Sequence, residues 1–353
     1  MIGTKSIVLL SISAFMAWSV SSNRAERKDQ FTRLSGSTPI HKIMKSCGAP
    51  MPLHYIEKTD SVLVRKGWEI THLGRTSDAN GNRLERQSKH FVCVDCHNDR
   101  QEDPDLLQSD PNARLNYAIQ NNIPFLQGTT FHGIVNRRHF YNGDYAKKYG
   151  SLIHNAKDTL RNAIQVCATQ CSQGRALNAY EMEAVLHYFN SLELKLSDLN
   201  FKTHELDTLN FFYNFQLAYD KSITVADENA IEMLQSKYND ASAATFLSTP
   251  DMRFRGNGAT GNPETGKAIY RLSCMHCHAK GRVSQFELND EKITFRFLKR
   301  HLNRPKFFNI YFHVREGTYA KPGHRPYMPN FTKERMSEQQ LEDLIAYINQ
   351  QAE

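Results

Sequence analysis

The sequence lacks the marks of a nucleic-acid-binding chain. It has no long run of Lys or Arg. Its 44 basic and 37 acidic residues are dispersed, and the net charge of +7 is modest. A dispersed balance of this kind leaves no concentrated footprint for a polyanion and suits an anionic small molecule or an acidic protein partner. No low-complexity tract interrupts the chain, and no repeat is visible beyond a weak duplication described below. With 40% hydrophobic and 23% charged residues and a mean hydropathy of −0.57, neither a multi-span membrane protein nor a disordered chain is expected. The 353 residues suffice for two or three compact domains.

The one long apolar run lies at the start, from Ile7 to Val20, after Lys5 and before Ser21-Ser22-Asn23 and the basic Arg24, Arg27 and Lys28. No obvious Ala-x-Ala site follows, and no cysteine suitable for lipidation. The run is short for a membrane span and fits a secretory h-region, so residues 1–22 read as a signal peptide, with an uncleaved N-terminal membrane anchor as the alternative. Either reading places the body in the periplasm, where free thiols can pair.

Cysteines are few but patterned: Cys47, Cys93, Cys96, Cys167, Cys171, Cys274 and Cys277. Cys93-Val94-Asp95-Cys96-His97 and Cys274-Met275-His276-Cys277-His278 each carry Cys-x-x-Cys followed at once by His. This is the attachment signature of c-type haem. The two thiols add to the two vinyl groups of one porphyrin, and the adjacent histidine is held under the iron. Two covalently bound haem c groups are therefore expected. Zinc would not require a histidine directly after both pairs, and no βαβ pattern surrounds either site as a thioredoxin-like pair would require.

The expected architecture is all-α: two class I cytochrome c-like domains, residues 23–197 and 263–353, joined by a helical bridge over 198–262. In the second domain Gly266 to Tyr270 lead as a short helix into Cys274. A closing helix follows Ser337, with Leu341, Leu344, Ile345 and Ile348 at i, i+3, i+4 and i+7. Before it stands Tyr327-Met328-Pro329, which resembles the methionine loop of class I cytochromes. That resemblance makes Met328 the second axial ligand beside His278, with His313, His324 and Met336 as rivals. His/Met ligation raises a haem's potential. In the first domain an opening helix is expected through Leu63, Gly67, Trp68 and Ile70, and a closing helix from Ala179 to Phe189. No Met-Pro loop precedes the latter. The bridge carries no cysteine and reads as ordered, with a turn-rich connector at Gly256–Pro263.

In place of that loop runs Arg161-Asn162-Ala163-Ile164-Gln165-Val166-Cys167-Ala168-Thr169-Gln170-Cys171-Ser172-Gln173-Gly174-Arg175. This string resembles the corresponding stretch of the diheme thiosulfate dehydrogenases and, more distantly, of the haem-bearing A subunit of the Sox sulfur-oxidation complex. The segment Gly128 to Tyr141 resembles their first haem pocket. The likeness spans Leu63–Leu192 and Gly266–Ile348. It implies that Cys167 is the distal ligand facing His97, that a small sulfur anion is oxidised there, and that electrons leave through the second haem. Cys171 and the long acidic loop after His97 depart from the family pattern. The odd set of Cys47, Cys167 and Cys171 leaves two arrangements open: Cys167 on iron with a Cys47–Cys171 disulfide, or the reverse. His132, His139 and His154 are rival ligands.

A thiolate donor lowers the haem potential, which suits a site that draws electrons from a sulfur compound. A dianion needs fork-like cations, and Arg137 and Arg138, with Lys147, are the candidates, together with the hydroxyls of Tyr141 and Tyr145. The alternative function is an electron-transfer cytochrome with no substrate of its own, serving another oxidoreductase or a terminal oxidase. In either case the redox partner is a cytochrome or oxidase. A diheme peroxidase would want a displaceable histidine or an open site where Cys167 stands.

Overall fold

The computed structural model describes residues 33–218, 227–246, 255–302, 304, 309–318 and 326–353. The apolar N-terminal run and His324 lie outside these residues. The expected all-α class holds. The described residues contain helices and isolated β-bridges but no strand. None of the described helices is long and apolar enough to cross a membrane.

In chain order the helices are α1 (Ile40–Ser46), α2 (Ser61–Leu73), α3 (Pro111–Asn121), α4 (Tyr145–Tyr149), α5 (Leu160–Val166), α6 (Ala179–Ser191), α7 (Thr203–Ala218), α8 (Glu228–Gln235), α9 (Pro263–Ile269), α10 (Met275–His278), α11 (Lys292–Leu302), α12 (Ile310–Glu316) and α13 (Glu338–Gln351). Contacts sort them into two units. One takes the residues up to Pro50 together with Lys195–Leu234; the other takes Met51–Leu194 and Gln235–Glu353. The expected boundaries at 197/198 and 262/263 do not coincide with this division. Both Cys-x-x-Cys-His motifs fall in the larger unit.

The smaller unit is built on α1, α7 and most of α8. Ile40, Ile43 and Leu209 are fully buried in it. The Leu34 N–H donates to Asn210 Oδ1 at 2.7 Å, and the Asp227 N–H donates to the carbonyl of Cys47 at 3.0 Å. Burial pushes the Cys47 thiol up to about 11, so it stays protonated.

The larger unit repeats one helix crossing. α2 starts on an Asp60 cap and ends at left-handed Gly74, and it packs on α6, whose start is an Asn178–Glu181 capping box. At the crossing a Cβ on Gly67 would run into the carbonyl of Ala184 and the Cβ of Tyr188. α9 meets α13 in the same way: a Cβ on Gly266 would run into the carbonyl of Asp343 and the Cβ of Tyr347. α13 begins, as its sequence predicts, on a Ser337–Gln340 capping box. Each opening helix thus presents glycine to a backbone four residues before a tyrosine.

The two crossings are knit together. α3 lies in the loop after His97, yet Leu115, Ala118 and Phe125 belong to the core formed by Ile269, Phe295, Leu344 and Ile348. The Phe125 N–H donates to the Leu272 carbonyl at 3.0 Å. The end of the expected bridge belongs here too. Arg138 N–H donates to the Asp240 carbonyl, Asp144 N–H to that of Ala244, and Lys333 N–H to that of Thr245.

Candidate functional site

The N-terminal motif is a tight turn. Asp95 folds back to accept from the Val92 N–H at 2.7 Å, and His97 N–H donates to the Cys93 carbonyl at 3.1 Å. His97 Nδ1 lies 2.6 Å from the Thr129 carbonyl. A carbonyl only accepts, so Nδ1 carries the proton and Nε2 keeps its lone pair. The ring stacks on Phe131 at 4.8 Å, and burial lowers its pKa, keeping it neutral. Gly128 lies so close that a Cβ there would meet both the Cys96 carbonyl and His97 Nδ1 at 2.6 Å.

The C-terminal motif comes off α9 through a π turn at Tyr270–Cys274 and is carried on α10. His278 Nδ1 donates to the Phe286 carbonyl at 2.7 Å, again leaving Nε2 with its lone pair. Burial pushes the Cys93, Cys274 and Cys277 thiols up to about 12 and raises Cys96 as well. Such sulfurs favour a neutral form, as thioethers are.

A large, mainly apolar cavity adjoins each motif. The one at Cys93, Cys96 and His97 encloses about 1590 Å³ of space open to solvent. The one at Cys274, Cys277 and His278 encloses about 1770 Å³. Each pairs two thiols with an imidazole whose Nε2 keeps its lone pair, the donor set that haem c attachment calls for.

Met328 lines the second cavity and is fixed by a reciprocal pair: Thr318 N–H donates to its carbonyl at 2.9 Å, and its own N–H donates to Thr318 Oγ1 at 2.8 Å. Of its rivals, Met336 is 1% exposed within the core. His313 lines the cavity with a buried Nδ1 that has no hydrogen-bond partner, and His301, which the sequence did not single out, lines it too, with Nδ1 bonded to the Phe297 carbonyl.

The first cavity gathers several residues expected from sequence. Cys167, Cys171, Tyr141 and Tyr145 line it with Arg137. Arg137 is half-buried and makes no ion pair among the described residues; burial lowers its pKa. Arg138 is not brought in. It is exposed, and its guanidinium pairs with Asp240, donating from Nε at 2.7 Å. Of these two adjacent arginines, Arg137 lines the cavity and Arg138 turns to Asp240. Lys147 is exposed and pairs with Asp144 at 2.6 Å. His132 lines an adjoining polar cleft, His154 is exposed, and His139 at the cavity edge binds Asp158 at 2.6 Å.

All seven cysteines are free, so neither expected disulfide to Cys47 is formed. Instead Cys167 and Cys171 share a π turn and one cavity, where Cys171 holds the Cys167 pKa up and Cys167 draws that of Cys171 down. The phenols of Tyr141 and Tyr327 line the same cavity as Cys171. With Cys167 and these phenols as partners, against burial, the Cys171 pKa is lowered.

Sequence reasoning missed Tyr149, Tyr327, Lys148 and Arg335. Tyr149 and Tyr327 line the first cavity, Lys148 donates to Asn330 Oδ1 at 2.6 Å, and Arg335 pairs with buried Glu102 at 2.8 Å. Only Tyr327 had a signal, its place directly before Met328.

The two motifs touch. His276 Nε2 lies 3.4 Å from the Val94 carbonyl, and Cys277 Sγ lies 3.8 Å from that of Asp95. Phe91, Gln127, Tyr327 and Pro329 line both cavities, so one wall of side chains separates them.

No curated protein and no solved structure matches the chain. A family model does, over residues 261–348: cytochrome C oxidase, cbb3-type, subunit III. That segment runs from just before α9 through most of α13, and it makes the C-terminal part of the chain a cytochrome c domain with covalently bound haem c and an electron-transfer role.

Proposed function

We propose that the chain is an exported diheme c-type cytochrome whose N-terminal haem takes electrons from a small sulfur anion, thiosulfate or a relative, and whose C-terminal haem hands them to a periplasmic cytochrome or a terminal oxidase. The observation that carries this reading is the cavity beside Cys93, Cys96 and His97, which is lined by cysteine on a further wall. The repeated Gly67 and Gly266 crossings support a second haem domain.

When bound, haem supplies one-electron chemistry at iron, and a thiolate donor lowers its potential. His97 would hold the iron through Nε2, with Thr129 fixing the tautomer. Cys167 would supply the thiolate. Arg137 offers an anion a guanidinium at the cavity wall, and the surrounding phenols offer hydroxyl donors. Joining two thiosulfates to tetrathionate releases two electrons, one for each haem. The shared wall keeps the path between the two cavities short.

The test is a Cys167→Ala variant. It should retain both haems covalently, as read by mass, while losing the low-spin thiolate signal in electron paramagnetic resonance and the reduction of haem by thiosulfate. Unchanged spectra would remove Cys167 from the iron. Wild-type protein that thiosulfate fails to reduce at any pH would leave an electron carrier without a substrate.

A further inference from the structure

Cys171 has no part in haem attachment and none in the ligand set proposed above. It nevertheless sits four residues after Cys167. α5 runs without a break into the π turn Cys167–Cys171, in which the Ser172 N–H closes on the Cys167 carbonyl at 2.8 Å. Residues four apart on one turn share a face, and π turns inside helices recur at functional sites. Both thiols line the same solvent-open cavity, and neither is fully buried.

We infer that Cys167 and Cys171 form a reversible dithiol/disulfide couple, a modification site on which small-molecule disulfides act as oxidant. The Cys171 sulfur attacks one sulfur of R–S–S–R, forming Cys171–S–S–R and releasing RS⁻. The Cys167 sulfur then attacks the Cys171 sulfur, closing the Cys167–Cys171 bridge and releasing the second RS⁻. The protein loses two electrons and two protons, and the small disulfide becomes two thiols. In the bridged state neither sulfur can act as a thiolate, so anything the free Cys167 does in the cavity is switched off. The couple does not depend on which compound the protein oxidises.

The sequence makes the test direct. Residues 162–175 hold both cysteines and no internal Lys or Arg, so trypsin releases them in one peptide. Holoprotein is reduced with dithiothreitol, exchanged into buffer, treated with glutathione disulfide, quenched in acid, alkylated and digested. After oxidation the peptide should be lighter by two hydrogens and take no alkyl group; after dithiothreitol alone it should take two. In Cys167→Ser the bridge cannot close, and Cys171 should retain a glutathione adduct. A wild-type peptide that still takes two alkyl groups after oxidation overturns the inference, as does a cross-link to the peptide carrying Cys47. The wild-type measurement decides the matter even if the variant fails to accumulate.

Discussion

Met328 is held at the second cavity by its backbone, through two hydrogen bonds to Thr318, and its side chain packs against the core beside that cavity. With Met328 as the ligand, Met328→Ala should lower the midpoint potential of the C-terminal haem in a potentiometric titration, because losing His/Met ligation removes what raised it. If His313 holds the iron instead, Met328→Ala will leave the potential in place and His313→Ala will move it. Legibility at this scale follows contiguity. The attachment cysteines and their histidines are adjacent in sequence and can be read directly. Arg335 reaches the first cavity from the far end of the chain, where no local pattern announces it, and Tyr327 is announced only by its place before Met328. Arg137 and Arg138 look equivalent as letters, and only the pairing of Arg138 with the distant Asp240 separates them.

Among the elements, the two glycine crossings set how closely each opening helix approaches its closing helix. Adding one methyl at Gly67 or at Gly266 drives it into backbone that cannot rotate away. Such overpacking costs about 1–3 kcal/mol. Gly67→Ala and Gly266→Ala should each lower the urea midpoint of the holoprotein accordingly, whereas Gly81→Ala, with no atom near its Cβ position, should show only the smaller strain of a positive φ. An unchanged midpoint in Gly67→Ala would mean that α2 and α6 do not cross as described. The opening and closing helices were legible because their apolar residues repeat with helical period and their caps stand in place. α3 was not, although Asp110-Pro111 is a helix-start signal, because Leu115 and Ala118 serve a core most of whose residues lie between Ile269 and Ala352.

Across the larger unit, Glu102 joins segments distant in sequence. Its carboxylate accepts from the Thr130 N–H at 2.8 Å and from Asn98 at 3.0 Å, pairs with Arg335 at 2.8 Å, and lies 3.7 Å from Arg114. Arg114 and Arg335 both donate to the Leu126 carbonyl. Burial alone would raise the Glu102 pKa, but the two guanidinium groups outweigh it and hold the carboxyl well below its ordinary 4.5. A folded pKa below the unfolded one stabilises the fold above about pH 4.5, and that contribution is lost as pH falls toward the folded value. Asp103 acts in the opposite sense. Burial and the Glu102 charge raise it, so its contribution is present at low pH and fades as pH rises through the raised value. Removing one partner of a buried ion pair costs about 3 kcal/mol or more. Glu102→Gln should therefore unfold at clearly lower urea than wild type at pH 7. The gap between the two proteins should narrow below about pH 4.5, because the variant has no carboxyl to protonate there. An equal gap at pH 7 and pH 3.5 would show that the side chain acts through its shape and hydrogen bonds, and that its charge is not what ties α3 and the approach to α13 to the turn after His97.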